Sequence, residues 1–268
     1  MNKKFLITGG TGFIGSNIAN MLVSKGYDVV IFDNNHRGKI KRIDKKHKNI
    51  KVIQGDIRSL KDLSKAFKNI NAVIHLAYIN GTKYFYSKPD LVLDVAVKGL
   101  INIFDLCLKH KVKEMYLASS SEVYHMPKKI PTDEGETLKI PNIFNPRYSY
   151  GGGKILTELY GANFGKKYFK KLIIFRPHNV YGPDMGDEHV IPELLRKFKK
   201  AGKNQKLEIE GTGNETRSFI YISDFCEAFF KLIKKGKHLN VYNIGTEHRV
   251  KISKILKIIK KITKKKLK

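Results

Sequence analysis

The chain has 268 residues, 41% of them hydrophobic, which is enough to bury a full core in one large or two small domains. No apolar run approaches the ~20 residues of a membrane span, the apolar part of the Lys3, Lys4, Phe5 opening is cut short at Gly9 and Gly10, and Cys107 and Cys226 sit inside apolar helical patterns rather than at disulfide or metal-ligand spacing, so a cytosolic globular protein with no metal site is expected. The formal net charge of +28 comes from lysines scattered along the whole chain, which reads first as compositional bias; a salt-sensitive attraction to polyanions is the other reading, but no aromatic residues are interleaved as a base-stacking platform requires, so no specific nucleic-acid site is expected.

In chain order, the first predicted element is a buried strand at Phe5, Leu6 and Ile7. Gly9, Gly12 and Gly15 then fall three apart, and Ile18, Met21 and Leu22 restore helical spacing, so a strand feeds a helix through a glycine turn. A pyrophosphate can approach a backbone only where no Cβ intrudes, and unpaired N–H groups at the positive end of a helix hold it. A second strand over 28–32 ends at Asp33, placed to accept both ribose hydroxyls of an adenosine. A carboxylate there repels a 2′-phosphate, which favours NAD over NADP; Arg37 and the lysines near it act in the opposite sense.

A charged loop over 39–48 precedes a third strand at 50–53, which runs into Gly55, Asp56, Ile57 and Arg58. Asp56 is placed to accept from an adenine amino group, with a helix cap as the plainer reading because Ser59 opens the next helix. A fourth strand over 72–76 ends in HLAY, residues 75–78, where small Ala77 lets a dinucleotide lie close and His75 reads as a core histidine. A long amphipathic helix over 91–110 leads to a fifth strand at 115–118. This rhythm means a parallel sheet with helices on both faces and ligands along the carboxyl ends of its strands.

At that edge stand Ser119, Ser120, Ser121 and Glu122, costly to bury without polar partners, although a serine-rich turn is the plainer reading. Downstream, a helix beginning near Tyr150 puts Tyr150 and Lys154 one turn apart on one face. A phenol is a poor base at neutral pH, and a neighbouring ammonium stabilises its phenolate. Gly151, Gly152 and Gly153 lie between them. Each glycine costs a helix interior about 1 kcal/mol, so a bare backbone is required there, and close approach of a cofactor or sugar is the expected cause. A sixth strand follows at 172–175, and the chain ends in a lysine-rich amphipathic pattern (Ile252, Ile255, Leu256, Ile259, Ile262) expected to pack its apolar side on the rest of the C-terminal part.

TGGTGFIG at 8–15, GDIR at 55–58, HLA at 75–77, SSSEVY at 119–124, YGGGK at 150–154, RPHNVYGP at 176–183, TRSFIYISD at 216–224 and YNIG at 242–245 together resemble the extended short-chain dehydrogenase/reductase superfamily, specifically its NAD-dependent nucleotide-sugar epimerases and dehydratases. The resemblance implies an α/β fold: a Rossmann-type doubly wound sheet over 1–175 with a return of the chain near 215–235, and a small substrate-binding lobe within 176–268. It implies NAD held by Gly9, Gly12, Phe13, Ile14, Gly15, Asp33, Asn34, Asp56, Ile57, Leu76 and Ala77 together with Tyr150 and Lys154. Tyr150 would be the base at a sugar hydroxyl, usually at C4, with Ser120 sharing the proton and Lys154 lowering the phenol's proton affinity. The 4-keto sugar so formed is epimerised, dehydrated or decarboxylated, and Glu122 matches the glutamate that dehydratases use at C5. Ser121, Asn179, His189, Val190 and Arg217 match positions that contact the nucleotide sugar.

A 4-epimerase is the expected activity, with a 4,6-dehydratase or decarboxylase as the enzymatic alternative and a non-catalytic dinucleotide sensor or polyanion-binding protein as the alternative of another class. A homodimer through the helices over 91–110 and 154–169 is expected by the same analogy. Three departures stand out: Ala96 occupies a position where relatives usually carry Asn, His125 replaces the usual Gly after Val-Tyr, and relatives usually continue past the final lysine-rich pattern, so either a compact substrate lobe or a truncated one is expected.

Overall fold

The computed structural model describes residues 2–44, 46–186, 189–201, 209 and 211–263; Lys45, in the charged loop expected over 39–48, lies outside them. The chain opens with β1 (Lys4–Thr8), α1 (Phe13–Ser24), β2 (Asp28–Asp33), β3 (Ile50–Gln54), α2 (Leu60–Ser64) and β4 (Ala72–His75). Next come α3 (Thr82–Ser87), α4 (Pro89–Lys109), β5 (Glu114–Ala118), α5 (Ser149–Tyr168) and β6 (Lys171–Pro177). The remainder comprises β7 (Val180–Tyr181), α6 (Val190–Lys200), β8 (Thr216–Ser218), β9 (Ile220–Tyr221), α7 (Ile222–Lys235), β10 (Asn240–Ile244), β11 (Arg249–Lys251) and α8 (Ile252–Thr263).

Seven strands form one parallel sheet in the order β10, β6, β5, β4, β1, β2, β3. Strand side chains alternate between its faces, as a two-residue period requires. Leu6, Val73, Met115, Leu117, Leu172 and Ile174 join a core with Phe67, Phe104 and Cys107 on the side of α2, α4 and α5. Phe5, Ile7, Ile74, Tyr116, Ile173 and Phe175 join another with Ile18, Leu22, Phe225, Cys226 and Phe229 on the side of α1 and α7. Both cysteines are therefore core residues. With helices covering both faces, every central strand reads as a continuous apolar run. The order reverses between β1 and β4, and the crevice outside their carboxyl ends is where such sheets bind ligands. The chain returns to the sheet through α7 and β10, so the return reaches Ile244.

The rest of the C-terminal part is a small lobe. β7 pairs with β9 and β8 with β11, while α6 and α8 bury Leu194, Phe198, Ile252, Ile255 and Ile259 against each other. The terminal helix thus packs its isoleucines on the lobe as expected, but its stripe ends early, Ile262 being 72% exposed.

His75 is a core histidine, its Nδ1 2.8 Å from Thr8 Oγ1. Burial first, and the Lys154 charge second, hold its pKa down to about 3. The unfolded chain takes up this proton near pH 6.5. Between those values the unfolded state binds more protons, so the contribution of His75 to stability is lost as pH falls through that window. About 2 kcal/mol should be lost between pH 7 and pH 5 on this account. Urea midpoints at the two pH values check this: the part due to His75 should vanish in His75→Asn.

Candidate active site

The cleft starts where β1 ends. Gly9 has a φ of +71°, and a Cβ there would lie 2.7 Å from the backbone N of Ala77; a Cβ on Gly15 would overlap the Gly9 carbonyl oxygen. Gly12 is the N-cap of α1, with no side-chain cap and no acidic residue in the first turn. The first amides of α1, at Phe13 and Ile14, are thereby presented to an anion. Asp33 holds the turn against β2: Oδ2 accepts from Thr11 N at 3.0 Å and Oδ1 from Asn35 N at 2.8 Å. Asp56 accepts from Arg58 Nε at 3.1 Å and Nη2 at 2.7 Å, and this guanidinium holds its carboxyl below the usual range, with Asn34 as a further partner. Ser59, not Asp56, caps α2, accepting from Asp62 N.

The other end of the cleft is built by β5 and α5. Ser120 Oγ accepts from Glu122 N at 3.2 Å and lies close enough to the Tyr150 hydroxyl to lower its proton affinity. Burial pushes the Tyr150 phenol up to about 12, and Ser120 opposes that shift. Lys154 Nζ donates to the Ala118 carbonyl at 2.7 Å. Burial pushes its ammonium down to about 7, against the pull of Glu158. Glu122 Oε2 pairs with Arg147 Nη2 at 2.8 Å, Arg147 lies over the ring of Phe85, and Phe85 stacks on Tyr150 with centroids 5.0 Å apart.

One cavity of about 370 Å³ joins the two ends. Gly9, Gly12, Phe13, Ile14, Gly15, Asp33, Asn34, Asp56, Ile57, Leu76 and Ala77 line one part of it. Ser120, Ser121, Glu122, Tyr150, Lys154, Asn179 and His189 line the rest. Two expected residues do not line it. Val190 opens α6 with its side chain toward solvent, and Arg217, on exposed β8, turns Nη1 back to the Thr216 carbonyl at 2.9 Å. Asn179 lines the cavity but gives its amide to the Ser218 carbonyl at 2.9 Å.

The three glycines of α5 have a different cause from the expected one. A Cβ on Gly151 would lie 2.7 Å from His125 Nε2, one on Gly152 3.3 Å from Ile140 Cδ1, and one on Gly153 would overlap the Tyr78 hydroxyl. The bare backbone makes room for the protein's own side chains. His125 adopts φ +48°, the left-handed conformation that glycine enters most readily. It packs edge-on against Tyr148 at 4.7 Å.

Several residues of the site escaped the sequence reading. Arg147 and Phe85 lie outside every motif named above, and Tyr78 is readable only as the end of HLAY. Arg42 Nε and Lys39 Nζ both hold Asp184, at 2.7 and 3.1 Å. Arg42 Nη1 also reaches the Thr11 carbonyl at 3.2 Å. This ties the loop after β7 to the glycine turn, and nothing at sequence level links residues 142 apart.

The model of the NAD dependent epimerase/dehydratase family matches residues 5–245. The chain belongs to this family. It is 34% identical over 261 residues to the "Putative UDP-glucose 4-epimerase" of Methanocaldococcus jannaschii, covering 95% of this chain and 81% of that one. It is 32% identical to a UDP-N-acetyl-alpha-D-glucosaminuronate decarboxylase of Bacillus cytotoxicus, covering 98% of this chain and 81% of that one. A solved UDP-glucose 4-epimerase of Thermotoga maritima with UDP-glucose superposes with a TM-score of 0.85 at 27% identity, covering 99% of this chain and 85% of that one. The chain is thus an enzyme of the NAD-dependent nucleotide-sugar epimerase/dehydratase family, and its cofactor is NAD. The residues present fit that group: a turn packed so tightly on its own backbone that only glycine is admitted at positions 9 and 15, an uncapped helix start and a carboxylate at the end of β2. Among the described residues no helix is long and apolar enough to cross a membrane.

Gly15→Ala should weaken NAD binding at least about tenfold, or about 1.4 kcal/mol, because the added Cβ meets backbone that cannot yield. The dinucleotide released on denaturing equal amounts of the two purified proteins measures this.

Proposed function

We propose that this enzyme is a nucleotide-sugar 4-epimerase acting through a transient 4-keto sugar. The observation that carries the reading is the convergence of Ser120, Tyr150 and Lys154 at the carboxyl end of β5, in the cavity whose other end is the glycine turn. When bound, NAD supplies the acceptor and donor of a hydride. Tyr150, as phenolate, takes the proton of the C4 hydroxyl, and Ser120, beside it in the cavity, shares that proton. A charged Lys154 one helical turn away would favour the phenolate, while in the structure Ser120 and Arg37 lower the proton affinity of Tyr150 against burial and Glu122. Tyr150 would return the proton to O4 as the C4 hydroxyl is restored in the opposite configuration. Nucleotide-sugar contacts are assigned to Ser121, Asn179 and His189 on the cavity wall, and the lobe carrying α6 and α8 is assigned to substrate binding.

A second reading has its own observation. Glu122 lines the same cavity as a carboxylate paired with Arg147, which supports a 4,6-dehydratase or a decarboxylase in which Glu122 acts at C5. The decarboxylase name of the Bacillus relative points the same way. A homodimer belongs to the proposal as well: exposed Leu93 and Ile101 on α4, and Leu156 and Leu159 on α5, put apolar surface on two helices that pack against each other. Light scattering on a sizing column should find a dimer for the native chain and a monomer for Leu159→Glu.

Purified protein incubated with UDP-, GDP- and dTDP-sugars, with products followed by NMR, tests the chemistry. Interconversion of C4 isomers, slowed by about 10²-fold or more in Tyr150→Phe, is the expected result. A 6-deoxy-4-keto product or a decarboxylated sugar, lost in Glu122→Gln, would replace the epimerase reading by the second one. Absence of turnover on every sugar with NAD bound would overturn both.

A further inference from the structure

We propose that Tyr78 is a positioning residue of this site: the face of its ring seats the Lys154 ammonium, its edge buttresses the Tyr150 ring, and Gly153 is bare to admit it. The proposal rests on the reading of Tyr150 as base. Lys154 Nζ stands 3.9 Å from the centroid of the Tyr78 ring and 5.8 Å from that of Tyr150, so its aromatic seat is Tyr78. One ammonium hydrogen is given to the Ala118 carbonyl, and the ring face receives the charge on another side. The Tyr78 and Tyr150 rings meet edge to face, with centroids 5.2 Å apart and planes at 82°. Tyr150 thus packs against both Tyr78 and the stacked Phe85.

The Tyr78 hydroxyl does none of this. It is buried without a hydrogen-bond partner among the described residues, a costly arrangement for a polar group. Its oxygen would overlap a Cβ on residue 153, and the same Cβ would lie 3.3 Å from Tyr78 Cζ and 3.1 Å from Ala96 Cβ. A helix interior that gives up a side chain here gains the ring. The functional part of Tyr78 is therefore its π face, and phenylalanine should replace it.

The charged and titratable groups around the pair fix the expected direction. Lys154 is faced by Glu158 and Tyr150 from α5, by His75 from β4 and by Tyr78. Tyr150 is faced by Glu122, by Arg37 from the loop after β2, by Ser120 and by Tyr78. An electron-rich face beside the amine favours its charged form, and the charged amine favours the phenolate. Removing the ring should raise the proton affinity of Tyr150 and move the acidic limb of the pH–rate profile to higher pH.

Four variants test this: Tyr78→Phe, Tyr78→Leu, Gly153→Ala and the double variant Tyr78→Phe with Gly153→Ala. Phenylalanine should keep the native pH profile. Leucine should shift its acidic limb up by about one pH unit and lower neutral-pH turnover about tenfold. Gly153→Ala should resemble leucine, and the double variant should recover most of the loss, because removing the hydroxyl removes the overlap. A native pH profile in Tyr78→Leu, or Gly153→Ala without effect, would overturn the proposal, as would a leucine variant slowed only in step with its urea midpoint. Should no sugar be turned over, the function reading fails while this proposal is still decided. In ¹³C-lysine NMR titrations, the signal that disappears in Lys154→Met should titrate lower in Tyr78→Leu than in the native chain or Tyr78→Phe, and equal titration in all three would overturn it.

Discussion

The site depends on an ion pair buried beneath the carboxyl edge of the sheet. Arg176, from β6, sends Nε and Nη2 to the two carboxylate oxygens of Glu158 on α5, at 2.8 and 2.6 Å. Its Nη1 reaches Tyr124 Oη at 2.6 Å and the Glu134 carbonyl at 3.1 Å, and Ser119 Oγ donates to Glu158 as well. Two charges taken out of water are tolerated only when geometry and hydrogen bonding are complete, and removing one partner leaves the other charge stranded. The pair therefore acts less as a source of stability than as a constraint on register. It fixes α5 against β5 and β6, and so fixes where Tyr150 and Lys154 emerge. Through Tyr124, Asn243 and Glu134 the network reaches β10 and the loop that follows β5.

The same carboxylate shapes the electrostatics above it. Lys154 lies one turn before Glu158 on α5, and the negative charge opposes the desolvation that drives its ammonium down to about 7. Tyr150 is driven the other way, up to about 12, by the same desolvation. A buried phenol and a buried amine thus both favour their neutral forms, and each resists the charge that proton transfer requires. Neighbours decide the balance: Glu158 and the Tyr78 ring on the lysine side, Ser120 and Arg37 on the tyrosine side. Glu122 opposes the phenolate, and its pairing with Arg147 draws that charge away.

Much of this was legible in the sequence, because it is local. Buried strand runs, the glycine spacing and the Tyr150–Lys154 step are all written within a few residues, and the structure places each on the expected element. What was not legible is set by contacts between distant segments. The glycines of α5 look like a ligand's footprint until His125, Ile140 and Tyr78 are seen filling the space. Glu158 reads as an ordinary polar position in a helix whose own pattern gives no sign of Arg176. β10 was visible only as YNIG, too short and too polar a run to announce that it extends the sheet beside β6.

The latch at Asp184 shows how such distant contacts connect the two ends of the cleft. Arg42 is nearly buried and spans from the glycine turn, through the Thr11 carbonyl, to Asp184 in the loop after β7. On the same wall Arg37 donates to the Asn80 carbonyl, near the loop that carries Tyr78. Asp33 is occupied in holding Thr11 and Asn35, so the segment from Asp33 to Arg42 is anchored at its start by a carboxylate and along its length by two guanidinium groups. The turn that opens α1 is therefore tied through Arg42 and Asp184 to the cavity wall that carries Asn179 and His189.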